Sequence, residues 1–225
     1  MAKLYFRYGA MNSGKSTALL QAAYNYEERG QKVLLTKPAI DTKAADQIQS
    51  RLGMSRTVDF VLAPGDSARD AFAREAARER DASGRTVACL LVDEAQFLTV
   101  EQVDDLLRIA VVDDIPVLAY GIRTDFRTEA FPGSRRLLEI AHTLEELKTI
   151  CRCGRKAIFN GRVVDGRFVF DGDQVAIDTS SGHRPHGHEV TYESLCGLCY
   201  LQESGGRLDG TDAREAGEGR HAVAR

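Results

Sequence analysis

The sequence predicts an α/β fold, a mostly parallel sheet flanked by helices, followed by a small β-rich domain. Three observations predict it. Strand-like apolar runs alternate with helical periodicities over the first two thirds of the chain, the pattern of a parallel sheet. The segment GAMNSGKS, Gly9 to Ser16, matches G-x-x-x-x-G-K-[ST] between a strand and a helix, which makes the sheet P-loop NTPase-type and RecA-like. After LKTI the texture changes to short β-type runs, many glycines and two close cysteine pairs.

The elements follow in order. KLYFRY reads as a strand, broken by GAMNSG, and KSTALLQAAYNYEERG as a helix stopping at Gly30. QKVLLTKP is a second strand. AIDTKAADQIQSRLGMSR is polar and weakly periodic, and is expected to be a loop with a short helix. TVDFVLAP is a strand and SARDAFAREAARERDASG a charged amphipathic helix with a solvated face. TVACLLVDEAQFL carries a continuous apolar run, the mark of a strand buried on both faces. TVEQVDDLLRIAVVDD is a helix with Thr99 as N-cap, IPVLAYGI a buried strand, and SRRLLEIAHTLEELK a helix. The expected domains are 1–147 for nucleotide binding and 148–201 for the β-rich unit. Residues 202–225 have almost no large apolar side chain and are expected to form a disordered tail.

Composition excludes several classes. The chain has 225 residues, 43% hydrophobic and 28% charged, with net charge −3 at pH 7. That is ordinary for a globular protein and offers no basic footprint for gripping nucleic acid. No apolar run approaches the roughly 18–20 residues of a membrane span. The N-terminus leads into the phosphate loop without an apolar signal core, as expected of a cytoplasmic protein. Of the five cysteines, Cys89 lies in an apolar run and is expected to be a small buried hydrophobe.

The loop Gly9, Ala10, Met11, Asn12, Ser13, Gly14, Lys15, Ser16 and Thr17 is expected to cradle the phosphates of ATP. Its backbone N–H groups and the helix N-terminus attract anions. Lys15 should reach the β- and γ-phosphates and Ser16 should ligate Mg²⁺. Asp93, closing an apolar strand, stands where a Walker-B aspartate shares that metal. Gln96 is assigned to the same nucleotide site. Glu94 should point away from Asp93, toward an acceptor hydroxyl or a water.

Two acceptors fit these residues. DEAQ after a phosphate loop also suits a helicase-like, DNA-dependent ATPase. Such motors close a second RecA-like lobe over the nucleotide, and this chain has no room for one. The other reading is a kinase of a small hydroxyl compound, with Glu94 as general base.

GAMNSGKST, DEAQFL, YGIRTDFRTEAFPGS, ELKTICRCGRKA and YESLCGLCY stand in the order and at roughly the spacing of the type II thymidine kinases, a cytosolic, zinc-containing family with a lasso domain. The chain resembles that family over about residues 3–201. The resemblance implies that Glu94 deprotonates the 5′-hydroxyl of thymidine while Lys15 acts on the transferring phosphoryl group. It places Met11, Phe97, Phe126, Phe131, Asn160 and Tyr192 at the nucleoside. It also implies a homotetramer and inhibition by the end-product triphosphate.

Cys151-x-Cys153 and Cys196-x-x-Cys199 supply four thiolates for one structural, tetrahedral Zn²⁺. The pairs bracket the lasso segment, so metal loss is expected to weaken thymidine binding far more than ATP binding. Two departures from the family stand out. Asp41-Thr-Lys43 replaces its Asp-x-Arg, and residues 178–191 form a longer insert without Gly-Gly. His183, His186 and His188 in that insert are expected on an exposed loop rather than at a metal.

Overall fold

The computed structural model describes residues 1–39, 46–174 and 189–208. Strand β1 (Leu4–Tyr8) leads through the phosphate loop into α1 (Lys15–Glu27) and then β2 (Lys32–Pro38). A hairpin of β3 (Gln47–Gln49) and β4 (Ser55–Thr57) precedes β5 (Phe60–Leu62) and α2 (Ala68–Ser83). Next come β6 (Val87–Val92), a single 3-10 turn at Ala95–Phe97, α3 (Val100–Val111), β7 (Val117–Gly121), α4 (Pro132–Ile140) and β8 (Thr143–Glu146). These strands, the hairpin aside, form one six-stranded sheet in the order β5-β2-β6-β7-β1-β8. Every neighbouring pair is parallel.

The apolar run of β6 explains its place at the centre. Successive strand residues face opposite sides. Leu90 and Val92 join the core under α2, α3 and α4, whereas Cys89 and Leu91 join the core under α1 with Leu19, Leu20 and Ala23. Cys89 is fully buried, as expected. Helix α3 begins with the expected Thr99 cap, completed by a reciprocal bond with Gln102. Helix α2 begins at the Ser67 cap and stops at Gly84, whose φ of 71° is easy only for glycine.

Two elements differ from expectation. The predicted helix 134–148 ends at Ile140, and Thr143–Glu146 instead pair with β1 at the sheet edge. The backbone of Leu4 decides this: its carbonyl accepts the His142 N–H at 2.9 Å and its N–H donates to His142 Nδ1 at 3.1 Å. Unsatisfied edge groups of β1 outweigh the helical periodicity of the segment. Likewise, the described part of the expected loop and short helix, 46–56, contains the β3–β4 hairpin. Ile48 pins it by burying its side chain in the α1-side core, and Arg56 clasps Glu27 of α1 with two bonds of 2.8 and 2.6 Å.

The second lobe is built from antiparallel pairs. Strands β9 (Thr149–Ile150) and β10 (Lys156–Ala157) form a short hairpin. Strands β11 (Phe159–Val164), β12 (Arg167–Val169) and β13 (Val190–Leu195) form a sheet in the order β12-β11-β13. Asp165 and Gly166, both with positive φ, make the two-residue turn between β11 and β12. Helix α5 (Gly197–Glu203) closes the lobe and Ser204 is buried, so the packed chain passes the boundary at 201 expected from the sequence. The Asp41–Lys43 segment, His183, His186, His188 and the tail from 209 lie outside the described residues.

Candidate active site

The parallel sheet brings the C-terminal ends of β1, β6 and β7 together, the position at which open α/β sheets take ligands. The loop Gly9–Ser16 leaves β1 there. Asn12 and Gly14 take left-handed backbone angles, φ 66° and 77°, that curl it back on itself. Gly14 is also the N-cap of α1 and leaves Lys15 and Ser16 in the first helical turn.

Lys15 is 9% exposed and its Nζ donates to the Ala10 carbonyl at 2.9 Å. Burial lowers its proton affinity, the charges of Glu94 and Asp93 raise it in part, and Arg51 adds a like charge. Asp93 follows β6 and is 5% exposed. Its Oδ2 accepts the Ser16 hydroxyl at 3.3 Å, and its buried Oδ1 has no partner. Burial, followed by the neighbouring Glu94 charge, pushes the Asp93 carboxyl up to about 7. An orphaned carboxylate oxygen beside a serine hydroxyl is a donor set that fits Mg²⁺, which takes few protein ligands and keeps waters and phosphates for the rest.

Glu94 adopts φ 48°, a left-handed turn that directs its side chain differently from Asp93. Gln96 Nε2 donates to Glu94 Oε2, and Gln96 Oε1 accepts the Ile122 N–H at 3.2 Å. Gln96, expected at the nucleotide, is 2% exposed and instead spans from Glu94 to the end of β7. Gly121 leaves the space for it, since a Cβ there would lie 2.8 Å from Gln96 Oε1.

An open cavity of about 720 Å³ joins these groups. Met11, Asn12, Gly14, Lys15, Ser16, Thr17 and Glu94 line one part, and Gln49 to Leu52 of the hairpin face them. Arg51 thus reaches the phosphate loop from a segment that carries no motif. Sequence reasoning missed it because the hairpin itself was not foreseen.

Phe97, Phe126, Phe131 and Tyr192 are the aromatic residues expected at the nucleoside. Phe97 and Phe131 meet edge to face, with ring centres 5.4 Å apart. Phe97 keeps part of its surface open, whereas Phe126 and Phe131 are buried. The Phe126 ring is covered by the Arg162 guanidinium, whose carbon lies 3.9 Å from the ring centre. Tyr200 donates to the Phe126 carbonyl at 2.8 Å. Tyr192 pairs in register with Arg162 across β13 and β11, and burial raises its phenol. Asn160, expected at the nucleoside, is 2% exposed. Its Oδ1 accepts the Met11 N–H at 2.7 Å and its Nδ2 donates to the Thr124 carbonyl at 2.9 Å.

The four cysteines converge as their spacing predicts. The sulfur atoms of Cys151, Cys153, Cys196 and Cys199 all lie within 4.8 Å of one another, with Cys153 and Cys196 at 3.5 Å. Four sulfurs at this separation suit a tetrahedral zinc site with no open position. The Cys199 N–H donates to Cys196 Sγ at 3.5 Å and helps pull that thiol down to about 6. Thiolate is the ligand form.

Comparison with known proteins agrees with this geometry. A family model described as thymidine kinase matches residues 2–200. The thymidine kinase of Legionella pneumophila strain Paris is 47% identical over 209 residues, covering 92% of this chain and 93% of that protein. The thymidine kinase of Ruegeria pomeroyi is 46% identical over 207 residues, covering 91% and 96%. That of Enterobacteria phage T4 is 44% identical over 198 residues, covering 87% and 94%. Among solved structures, the Pif1 helicase of Candida albicans superposes on 67% of this chain and 37% of that one, at TM-score 0.38 and 16% identity, too slight a likeness to bear on function. With the phosphate loop, the acidic strand end and the four-cysteine cluster all inside the matched span, the chain belongs to the thymidine kinase family.

Proposed function

We propose that this chain phosphorylates the 5′-hydroxyl of thymidine with ATP, giving dTMP and ADP. The observation that carries the reading is the convergence of Lys15, Ser16 and Glu94 on one cavity, with Asp93 bonded to Ser16 at its edge. Glu94 takes the proton of the acceptor hydroxyl. The oxygen attacks the γ-phosphorus in line, and the bond to the β–γ bridging oxygen breaks. Lys15 sits where negative charge grows on the transferring group, and because its own side chain is buried its fixed charge acts strongly there. Arg51 adds a second cation on the facing wall. Gln96 holds Glu94 in line with the cavity.

Ser16 and Asp93 would hold Mg²⁺, which when bound supplies charge neutralisation for the phosphates. The free backbone N–H groups within the loop Gly9–Thr17 receive the phosphate oxygens. Met11 and Phe97 form the nucleoside wall, backed by Phe131 and Phe126, with Tyr192 closing from the second lobe. Cys151, Cys153, Cys196 and Cys199 hold a structural Zn²⁺ that clamps the base of this lobe. The domain division at 147/148, a cytoplasmic location and a homotetramer complete the proposal. The last two rest on resemblance to the family; no helix among the described residues is long and apolar enough to cross a membrane.

A nucleoside panel with ATP and Mg²⁺, scored by monophosphate formation, tests the reading. Thymidine should be phosphorylated and should stimulate ATP turnover. Turnover that depends on DNA and ignores thymidine would overturn it.

A further inference from the structure

Both backbone groups of one residue in the phosphate loop are held by the other lobe. The Met11 N–H donates to Asn160 Oδ1 at 2.7 Å, and the Met11 carbonyl accepts the Ser194 hydroxyl. Asn160 on β11 and Ser194 on β13 face each other in register, so one rung of the three-stranded sheet meets one residue of the loop. Both side chains are buried, 2% and 6% exposed. Asn160 is tied at its other end too, through the Thr124 carbonyl beyond β7. An amide bound at both ends cannot turn without leaving a buried polar group unpaired.

The consequence concerns where the loop points. A phosphate loop binds anions by aiming successive N–H groups inward. Here the Met11 N–H aims at Asn160 and the Ser13 N–H at the Ala10 carbonyl, 3.3 Å away, so Met11 is the loop's anchor and the N–H groups of Asn12, Gly14 and Lys15 are left for phosphate. The side chain of Met11 meanwhile stays at the cavity wall. The cysteine cluster and Met11 are linked by a short route: Ser194 on β13 lies two residues before Cys196, and Asn160 three residues after Ala157, which packs in the cysteine core.

We propose that Asn160 and Ser194 are positioning residues for phosphoryl transfer, fixing the Met11 peptide so that the β-rich lobe is a structural part of the ATP site. The proposal rests on reading Gly9–Ser16 as the ATP loop. It assigns Asn160 to the loop and not to the nucleoside.

The test is nucleotide binding to thymidine-free, zinc-loaded enzyme, read with a fluorescent ATP analogue. Asn160→Ala and Ser194→Ala should each weaken it roughly tenfold, the effect of losing the one buried hydrogen bond that each makes to the Met11 peptide. The double variant should lose less than the product of the two, because both act on one peptide. Ser194→Thr, which keeps the hydroxyl, should restore most of the affinity, and zinc content should be unchanged in all. Hydrogen exchange of the parent protein provides a measurement free of variants: the Met11 amide should be protected to the same degree as amides of β11. ATP-analogue affinity within about twofold of the parent, with thymidine affinity lowered instead, would overturn the proposal and return Asn160 to the nucleoside. Rapid exchange at Met11 would overturn it as well. Failure of the parent to phosphorylate thymidine would strike the proposed substrate while leaving this loop test readable.

Discussion

Gln96 donates its side-chain amide to the Glu94 carboxylate while its own carbonyl is held by the Ile122 N–H. The acid proposed as general base is therefore aimed by a buried amide two residues along the chain. Glu94→Gln keeps the shape but cannot accept a proton, so kcat should fall about 10²–10⁴-fold with ATP binding little changed. Gln96→Leu should lower kcat less, by roughly tenfold, since Glu94 remains but is free to turn. Rapid-quench turnover checks both, and near-normal rates for Glu94→Gln would remove Glu94 from the mechanism.

Lys15 and Arg51 face the same cavity but differ in burial. Lys15→Ala should abolish phosphorylation even at saturating ATP, because the charge growing on the γ-phosphate loses its enclosed partner. Arg51 is exposed on the hairpin. Arg51→Gln should therefore raise the KM for ATP several-fold and steepen nothing else, with the loss shrinking as salt rises. An Arg51→Gln enzyme with unaltered ATP kinetics at low salt would take Arg51 out of the site.

Asp93 links the site to stability. Its carboxyl is raised to about 7 in the fold from a reference of 3.8. Between those values the folded chain holds a proton that the unfolded chain has lost, so rising pH through that window destabilises the metal-free protein. Asp93→Asn removes the titration. In EDTA, the variant should melt several degrees above the parent at pH 8, and the gap should close toward pH 4. A gap that widens toward acid would contradict the sign. The same variant should be inactive, a trade of stability against function.

Cys196→Ser should cost more than the sequence alone suggests. Loss of zinc was expected to weaken thymidine binding far more than ATP binding. With Asn160 and Ser194 holding Met11, the lobe that loses its metal also holds the phosphate loop. Both ligands should weaken, by about tenfold or more each. Metal analysis combined with separate titrations of the two ligands decides it, and intact ATP affinity in zinc-free protein would show the lobes to be independent.

Much of this site was legible in the sequence because its signals are local. The phosphate loop needs its glycines, lysine and serine within a few residues, and the strand before it and the helix after it are adjacent in the chain. The apolar run of β6 announces a central strand, and Asp93 and Glu94 follow at its end. The cysteine pairs declare themselves by their short internal spacing. Thr99 capped α3 and Gly84 ended α2 as their chemistry requires.

Tertiary structure decided what depends on a partner far along the chain. Thr143–Glu146 became a strand because β1 offered an open edge, and the hairpin formed because Ile48 found the core beneath α1. Asn160 and Met11 meet across 149 positions, and no periodicity reports such a pair. Backbone groups and side-chain amides must be satisfied wherever they are buried, but which partner satisfies them is chosen only when the sheet has brought distant segments side by side. The sequence by itself determined the chemistry available to this protein; the fold determined that Gln96 would aim Glu94 and that Asn160 would hold the phosphate loop.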